Sequence, residues 1–165
     1  MKPARRHESL IPLSREHHYA LMLCLRIQRG LKTHQDDSAW LQSKAENVIR
    51  FLASDLIPHF QAEEEVLFPA MQPCDGATAL LRELLAEHRE MERLAAGLRQ
   101  CEAGLLAAQL NAFADLLEAH IRREERELFP LFEQQVTPEM AQQIGQGIIR
   151  LIGQAEQPRV PELLR

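Results

Sequence analysis

Residues 59–69 read HFQAEEEVLFP, and residues 120–130 read HIRREERELFP. Aligned without gaps, six of the eleven positions are identical: His, Glu, Glu, Leu, Phe and Pro. Such a repeat within one chain points to two related structural units. In each copy the His and the first Glu stand four residues apart, as His59 and Glu63, and as His120 and Glu124. On an α-helix that spacing puts both side chains on one face, with Cβ atoms about 5–6 Å apart.

The flanking residues support helices. Before the first copy, Trp40, Ala45, Val48, Ile49, Leu52 and Leu56 mark an apolar face of a helix over about 39–70. Pro58 lies inside this run and predicts a kink, because proline removes a backbone donor. Around the second copy, Leu106, Leu110, Phe113, Leu116, Leu117 and Leu128 mark a helix over about 105–134. Each of these helices is preceded by another. Leu13, His17, Leu21, Cys24, Leu25 and Leu31 predict a helix over 15–34, with Ser14 as its N-cap. Leu81, Leu84, Leu85, His88, Met91 and Leu94 predict one over 77–102. Breaks fall at Asp36 to Ser38, at Pro73 to Gly76 and near Gly104. Thr137-Pro138-Glu139 is a start signal for a shorter fifth helix over 138–152. No segment alternates with period two.

The expected fold is therefore all-α: an up-down-up-down antiparallel four-helix bundle with a short C-terminal fifth helix. Residues 1–13 are expected to form an extended N-terminal arm, 14–135 the bundle, and 136–165 the C-terminal helix and a loosely held tail containing Pro158 and Pro161. The fifth helix either caps the bundle or forms a dimer face, so monomer and homodimer are both open.

The odd-numbered helices carry a weaker repeat, Glu16-His17 and Glu87-His88. Each hairpin thus brings a His from its first helix and a His-x-x-x-Glu from its second, all in register with the apolar stripes. Inward carboxylates are rarely tolerated without a partner. Two divalent ions satisfy such a set, since neutral imidazoles give one lone pair each and a carboxylate can bridge two metals. A nitrogen and oxygen donor set without thiolate disfavours structural zinc, and the imidazoles disfavour magnesium and calcium; iron or manganese fits. His18 competes with His17 for the first-helix position, although His17 fits the stripe. A lone His-x-x-x-Glu is common on exposed helices, and the Glu-rich stretches 63–65 and 124–127 read alone as solvated faces. Duplication with matching histidines is what favours a metal site.

REH in the first helix, HFQAEEEVLFP, AEHREM and HIRREERELFP together resemble the hemerythrin-like, or HHE cation-binding, domains over roughly residues 10–135. The rival ferritin-like pattern, Glu-x-x-His, occurs on neither repeat helix. The resemblance implies a non-haem di-iron centre, with manganese or zinc possible in isolated protein. It implies His17 and His59 as terminal ligands of one iron, His88 and His120 of the other, and Glu63 and Glu124 as bridges. Oxygen-carrying members place a second His four residues after the third-helix His; this chain has Glu92 there. Glu92 either fills that coordination position or faces solvent. The implied function is binding of O2, NO or peroxide, or iron buffering. The alternative is a di-iron enzyme turning over peroxide or NO in stress defence. The sequence shows no separate acid/base set, which leans away from an enzyme.

Composition sets the outer bounds. The chain has 165 residues, 45% of them apolar and 26% charged, with a net charge of -5. These are globular values. The acidic balance argues against nucleic acid as a partner. No apolar run is long enough to span a membrane. Cys24, Cys74 and Cys101 form no paired framework. An odd count fits a reducing compartment, so the expected location is cytoplasmic. Cys24 and Cys101 are expected to be buried and Cys74 to lie in a loop.

Overall fold

The computed structural model describes residues 6–153, which are almost wholly helical and contain no strand. We number the helices α1 (Ile11–His34), α2 (residues 38–71), α3 (Ala77–Leu98), α4 (residues 103–135) and α5 (Pro138–Ile152). The arm's first five residues and the tail after Gly153 lie outside the described residues.

The first helix begins earlier than its periodicity suggests. A 3-10 turn, Glu8–Leu10, runs directly into α1, and Pro12 occupies its first turn. Proline is preorganised there and its missing N–H is not needed. Leu10 and Leu13 are fully buried, so residues 8–13 are helical and contribute to the core and are not an extended arm. Ser14 is consequently an interior helical residue and not an N-cap; its hydroxyl donates to Glu125 Oε1 at 2.7 Å.

Helices α2 and α4 are interrupted by widened, π-type turns at Leu52–Leu56, Glu63–Leu67 and Glu124–Leu128. Each is followed, two residues later, by a proline: Pro58, Pro69 and Pro130. The residue before each proline, Ile57, Phe68 or Phe129, donates its amide to the carbonyl five residues back, on Leu52, Glu63 or Glu124. A proline ring collides with the carbonyl of the preceding turn in a regular helix. Opening that turn by one residue lets the helix run on past Pro58. Two of these turns begin at the inward carboxylates Glu63 and Glu124. Such turns recur at functional sites.

Caps set the other boundaries. Asp37 accepts the Trp40 amide at the start of α2, and Thr137 accepts the Met140 amide at the start of α5. Gly76 enters α3 with φ of 81°, a conformation that a side chain would strain. Helix α4 packs along both α1 and α3, and α2 touches α3 and α4. Helix α5 lies against the second half of α2 and the Glu8–Leu10 turn. Its Gly145 permits that approach: a Cβ there would stand 2.8 Å from Ser9 Oγ and 3.1 Å from Ser9 Cα. The Ser9 hydroxyl donates to the Ala141 carbonyl at 2.7 Å. With Ala141, Ile144 and Ile148 buried, α5 closes one side of the structure.

The core is in two parts. One apolar cluster gathers around Leu23, Ile27, Val48, Met91, Leu110 and Phe113. The other gathers around Leu10, Leu67, Met71, Leu84, Phe129 and Ile148. Each fully buried Leu, Ile, Phe or Met contributes about 1.5–3 kcal/mol relative to exposure. Among the described residues the buried polar side chains, Ser9 aside, are four histidines and two glutamates. All three cysteines are free thiols. Cys24 is buried, whereas Cys101 is only partly so, because it falls in the turn between α3 and α4. No described helix is long and apolar enough to cross a membrane.

Candidate metal centre

The inward stripe of α1 runs through Leu13, His17, Ala20, Cys24 and Ile27. That of α3 runs through Leu84, His88, Met91, Ala95 and Leu98. The spacing is four, three, four, three in both, so each helix sets its His between the two apolar clusters. His59 and Glu63 enter from α2, and His120 and Glu124 from α4, each pair one turn apart at the mouth of a widened turn. His17, His59, Glu63, His88, His120 and Glu124 are all between 0% and 3% exposed.

They form two quartets that share both carboxylates. His17, His59, Glu63 and Glu124 bring one donor atom each within 4.8 Å of one another, and so do His88, His120, Glu63 and Glu124. Glu63 Oε1 lies 3.1 Å from His59 Nε2, and its Oε2 lies 3.3 Å from His88 Nε2. Glu124 Oε2 lies 3.1 Å from His17 Nε2, and its Oε1 lies 3.3 Å from His120 Nε2. Each carboxylate thus spans the two halves. Despite these approaches, the four oxygens are without hydrogen-bond partners. Buried carboxylate oxygens without donors are costly.

The histidines show the same demand from the other side. Every Nδ1 meets a carboxylate: His17 with Glu125 at 2.8 Å, His59 with Glu16 at 2.7 Å, His88 with Glu64 at 2.8 Å and His120 with Glu87 at 2.7 Å. An ionised carboxylate only accepts, so each Nδ1 carries the donated proton. In the neutral rings the lone pairs therefore sit on Nε2. The Nε2 atoms of His17 and His59 face each other at 3.1 Å, and those of His88 and His120 at 3.2 Å. Paired lone pairs beside orphaned carboxylates call for a cation at each position. Backing an imidazole with a carboxylate is also how metal-ligating histidines are oriented.

Electrostatics agree. Burial alone lowers the His120 pKa, but the carboxylates of Glu124, Glu87 and Glu63 outweigh it and hold the ring at about 10. His17 and His59 are raised against burial in the same way, His17 by Glu124 and Glu125, and His59 by Glu63 and Glu16. Burial pushes Glu63 and Glu124 upward, and Glu63 also feels Glu124, yet the facing histidines keep both carboxyls below the ordinary range. Glu125, bonded by His17, Ser14 and Arg6, is brought down to about 2 against its own burial.

Aromatic rings wall the cluster. The Phe of each Leu-Phe-Pro stacks on the opposite hairpin's first His: Phe129 on His17 at 5.5 Å and Phe68 on His88 at 5.6 Å. Phe60 stacks on the other side of the cluster, 3.9 Å from His88 between centroids.

Of the seven residues the sequence singles out, the structure brings together six and leaves Glu92 outside. The α3 stripe passes from His88 to Met91, which is fully buried, and Glu92 falls at the helix edge. It is 34% exposed and pairs with Arg89 at 2.6 Å. Glu92→His is accordingly expected to leave metal content and optical spectrum unchanged; a shifted spectrum in the fully loaded variant counts against this placement. His18 is exposed beside the buried His17, and it is His17 that lies in the first quartet. Glu16, Glu64, Glu87 and Glu125, which back the four histidines, are not marked by the helical periodicity. Their signal was present in the paired Glu-His and in the second Glu of each repeated Glu-Glu.

Comparison with known proteins agrees with this geometry. No curated protein and no solved structure matches the chain. Residues 12–132 match the family described as hemerythrin HHE cation binding domain, and they contain every residue of the two quartets. With the match covering most of its length, the chain belongs to the hemerythrin HHE cation-binding family.

Proposed function

We propose that the protein is a dinuclear non-haem iron protein that binds O2, NO or peroxide, or buffers iron. The observation that carries this reading is the pair of quartets sharing Glu63 and Glu124. His17 and His59 would hold one ion, His88 and His120 the other, with both carboxylates bridging. A mixed imidazole and carboxylate set suits iron, with manganese or zinc as substitutes in isolated protein. Iron at such a site supplies an open coordination position and accessible redox states. The helix order, the short turns and the internal repeat support an up-down-up-down antiparallel bundle with α5 as an added fifth helix. The odd, unpaired cysteine count supports a reducing, cytoplasmic setting.

The two halves differ in room for a small ligand. A cavity of about 20 Å³ adjoins His17 and His59 and reaches His120, walled by Ala20, Phe51, Leu56, Phe60 and Ile121. That volume holds about one water-sized molecule. Matching Glu16-His17 to Glu87-His88 sets Ala20 against Met91, and matching the repeat sets Ile121 against Phe60. Met91 and Phe60 are buried, and Phe60 lies flat on His88. Phe60 and Met91 thus fill the space beside His88, while Ala20 and Ile121 leave room beside His17 and His59.

The test begins with metal analysis of protein from iron-replete cells, where about two ions per chain are expected, followed by azide titration of the oxidised protein. Ala20→Met should fill the cavity and weaken azide binding about tenfold or more with metal content unchanged, since overfilling a packed site costs about 1–3 kcal/mol. Protein that neither contains iron nor takes up Fe(II) anaerobically removes the reading. Unaltered azide affinity in a loaded Ala20→Met variant moves the ligand position elsewhere.

Glu16 favours a second reading, a di-iron enzyme turning over peroxide or NO. It lines the cavity, is partly exposed and bonds His59, so a proton can be held beside the ligand position. Stopped-flow spectra with O2, peroxide and NO separate binding from turnover.

A further inference from the structure

The four carboxylates behind the histidines are not equally neutralised. Glu125 takes Arg6 at 2.6 Å and the Ser14 hydroxyl at 2.7 Å. Glu87 takes Arg123 at 2.5 Å. Glu64 takes Arg89. Glu16 bonds His59 and, among the described residues, pairs with no arginine or lysine. The repeat explains the difference. Arg123 is the fourth residue of HIRREERELFP, and the fourth residue of HFQAEEEVLFP is Ala62, which is fully buried. The second hairpin supplies its own cation where the first supplies a methyl group. Arg6, Arg89 and Arg123 also reach Glu133, Glu92 and Glu83. Of these only Glu83 is mostly exposed, so each arginine's charge is shared between two carboxylates; among the described residues Glu16 has no such arginine to share.

We infer that Glu16 makes the two metal positions unequal, so that a divalent cation loads first between His17 and His59. The inference rests on the dinuclear reading above. A carboxylate behind a ligating imidazole strengthens it as a donor, and removal of such a partner typically costs 10–100-fold in metal affinity. An arginine on the carboxylate cancels much of its charge as seen from the metal. The His88 and His120 side has both carboxylates compensated in this way; the His17 and His59 side has only Glu125 compensated. In the poorly solvated interior an uncancelled charge acts strongly on a dication. Glu16 touches no proposed metal position itself. It is a positioning residue that acts through His59.

The test uses the full-length protein, stripped of metal by chelator and titrated with cobalt(II) chloride by calorimetry and visible absorption. Two steps are expected for the unaltered chain. E16Q keeps an acceptor for His59 Nδ1 and removes only the charge. It should weaken the first step about 10–100-fold and leave the second in place. E87Q should do the reverse. R123Q, which strips the compensation from Glu87, should tighten the second step. A merely structural role for Glu16 would lower thermal stability without selecting one step. If E16Q and E87Q weaken the same step, or both steps alike, the inference is overturned while the dinuclear reading stands. A chain that takes up no cobalt overturns both.

Discussion

Replacing Glu63 by Ala is expected to empty both metal positions, whereas replacing His88 by Ala should empty one. The difference follows from where the donor atoms point. Glu63 presents Oε1 to His59 and Oε2 to His88, so its loss removes an anionic donor from each quartet. His88 belongs to a single quartet. Without Glu63 the imidazoles of both halves retain only Glu124 as a shared anion, and two dications then repel each other across a site with half its bridging charge. Metal analysis after gel filtration should give near zero ions per chain for Glu63→Ala and about one for His88→Ala, against about two for the unaltered protein. Circular dichroism checks that both variants fold. Equal metal loss in the two variants would falsify the shared-carboxylate arrangement, since two separate sites would each lose only their own ligand.

The second large effect is on stability. Metal bound only by the native state stabilises it by mass action, about 4 kcal/mol for one site at a free concentration a thousandfold above Kd. For a chain of this size each kcal/mol moves Tm by about 2–4 °C. Loading should therefore raise Tm by about 10 °C or more, and chelation should reverse it. The shift should depend on pH in a definite direction. In the metal-free protein His120 is held at about 10 by its carboxylate neighbours, against an ordinary value of 6.5. A group with a raised folded-state pKa contributes stability that is complete below its unfolded value and is lost as pH rises through the folded one. Metal-free protein should thus weaken from about pH 6.5 towards pH 10, while metal meets less competition from protons. The gap between loaded and metal-free Tm should widen from pH 6.5 to pH 9. A melting curve that does not move on verified removal of metal excludes a buried centre.

How far these positions could be read from the chain depends on the range of the physics behind each. His59 and Glu63, and His120 and Glu124, share a face because four residues nearly complete one helical turn. That is a local property, and the duplicated motif states it twice. His17 and His88 follow from stripes whose spacing is identical. The widened turns also leave a local trace, in the three Leu-x-Pro steps at Leu56 to Pro58, Leu67 to Pro69 and Leu128 to Pro130. Proline chemistry forces them, although periodicity alone gives no hint of them.

Glu92 shows where local reasoning stops. Four residues from His88 suggests the same face, but the stripe can step by three or by four. Packing of Met91 into the core decides the step. The outer carboxylates are a second case. Glu16, Glu64, Glu87 and Glu125 each sit one residue from an inward side chain, a position that on an isolated helix faces water. Only when four helices close do these edges meet the back of a neighbouring helix's histidine. The same holds for residues 8–13, whose irregular sequence brings Ser9, Leu10 and Leu13 into the core where α5 lays Gly145 against Ser9.

The sequence by itself determined the helices, the repeat and five of the six buried donors, with His17 favoured over His18, since these arise from spacing within one helix and from the free energy of hiding apolar stripes. The tertiary structure decided which carboxylate backs which histidine, which arginine neutralises it, and which half keeps a cavity. Those outcomes depend on the rotation and distance of one helix against another, and contacts such as Glu125 with His17 join residues more than a hundred positions apart.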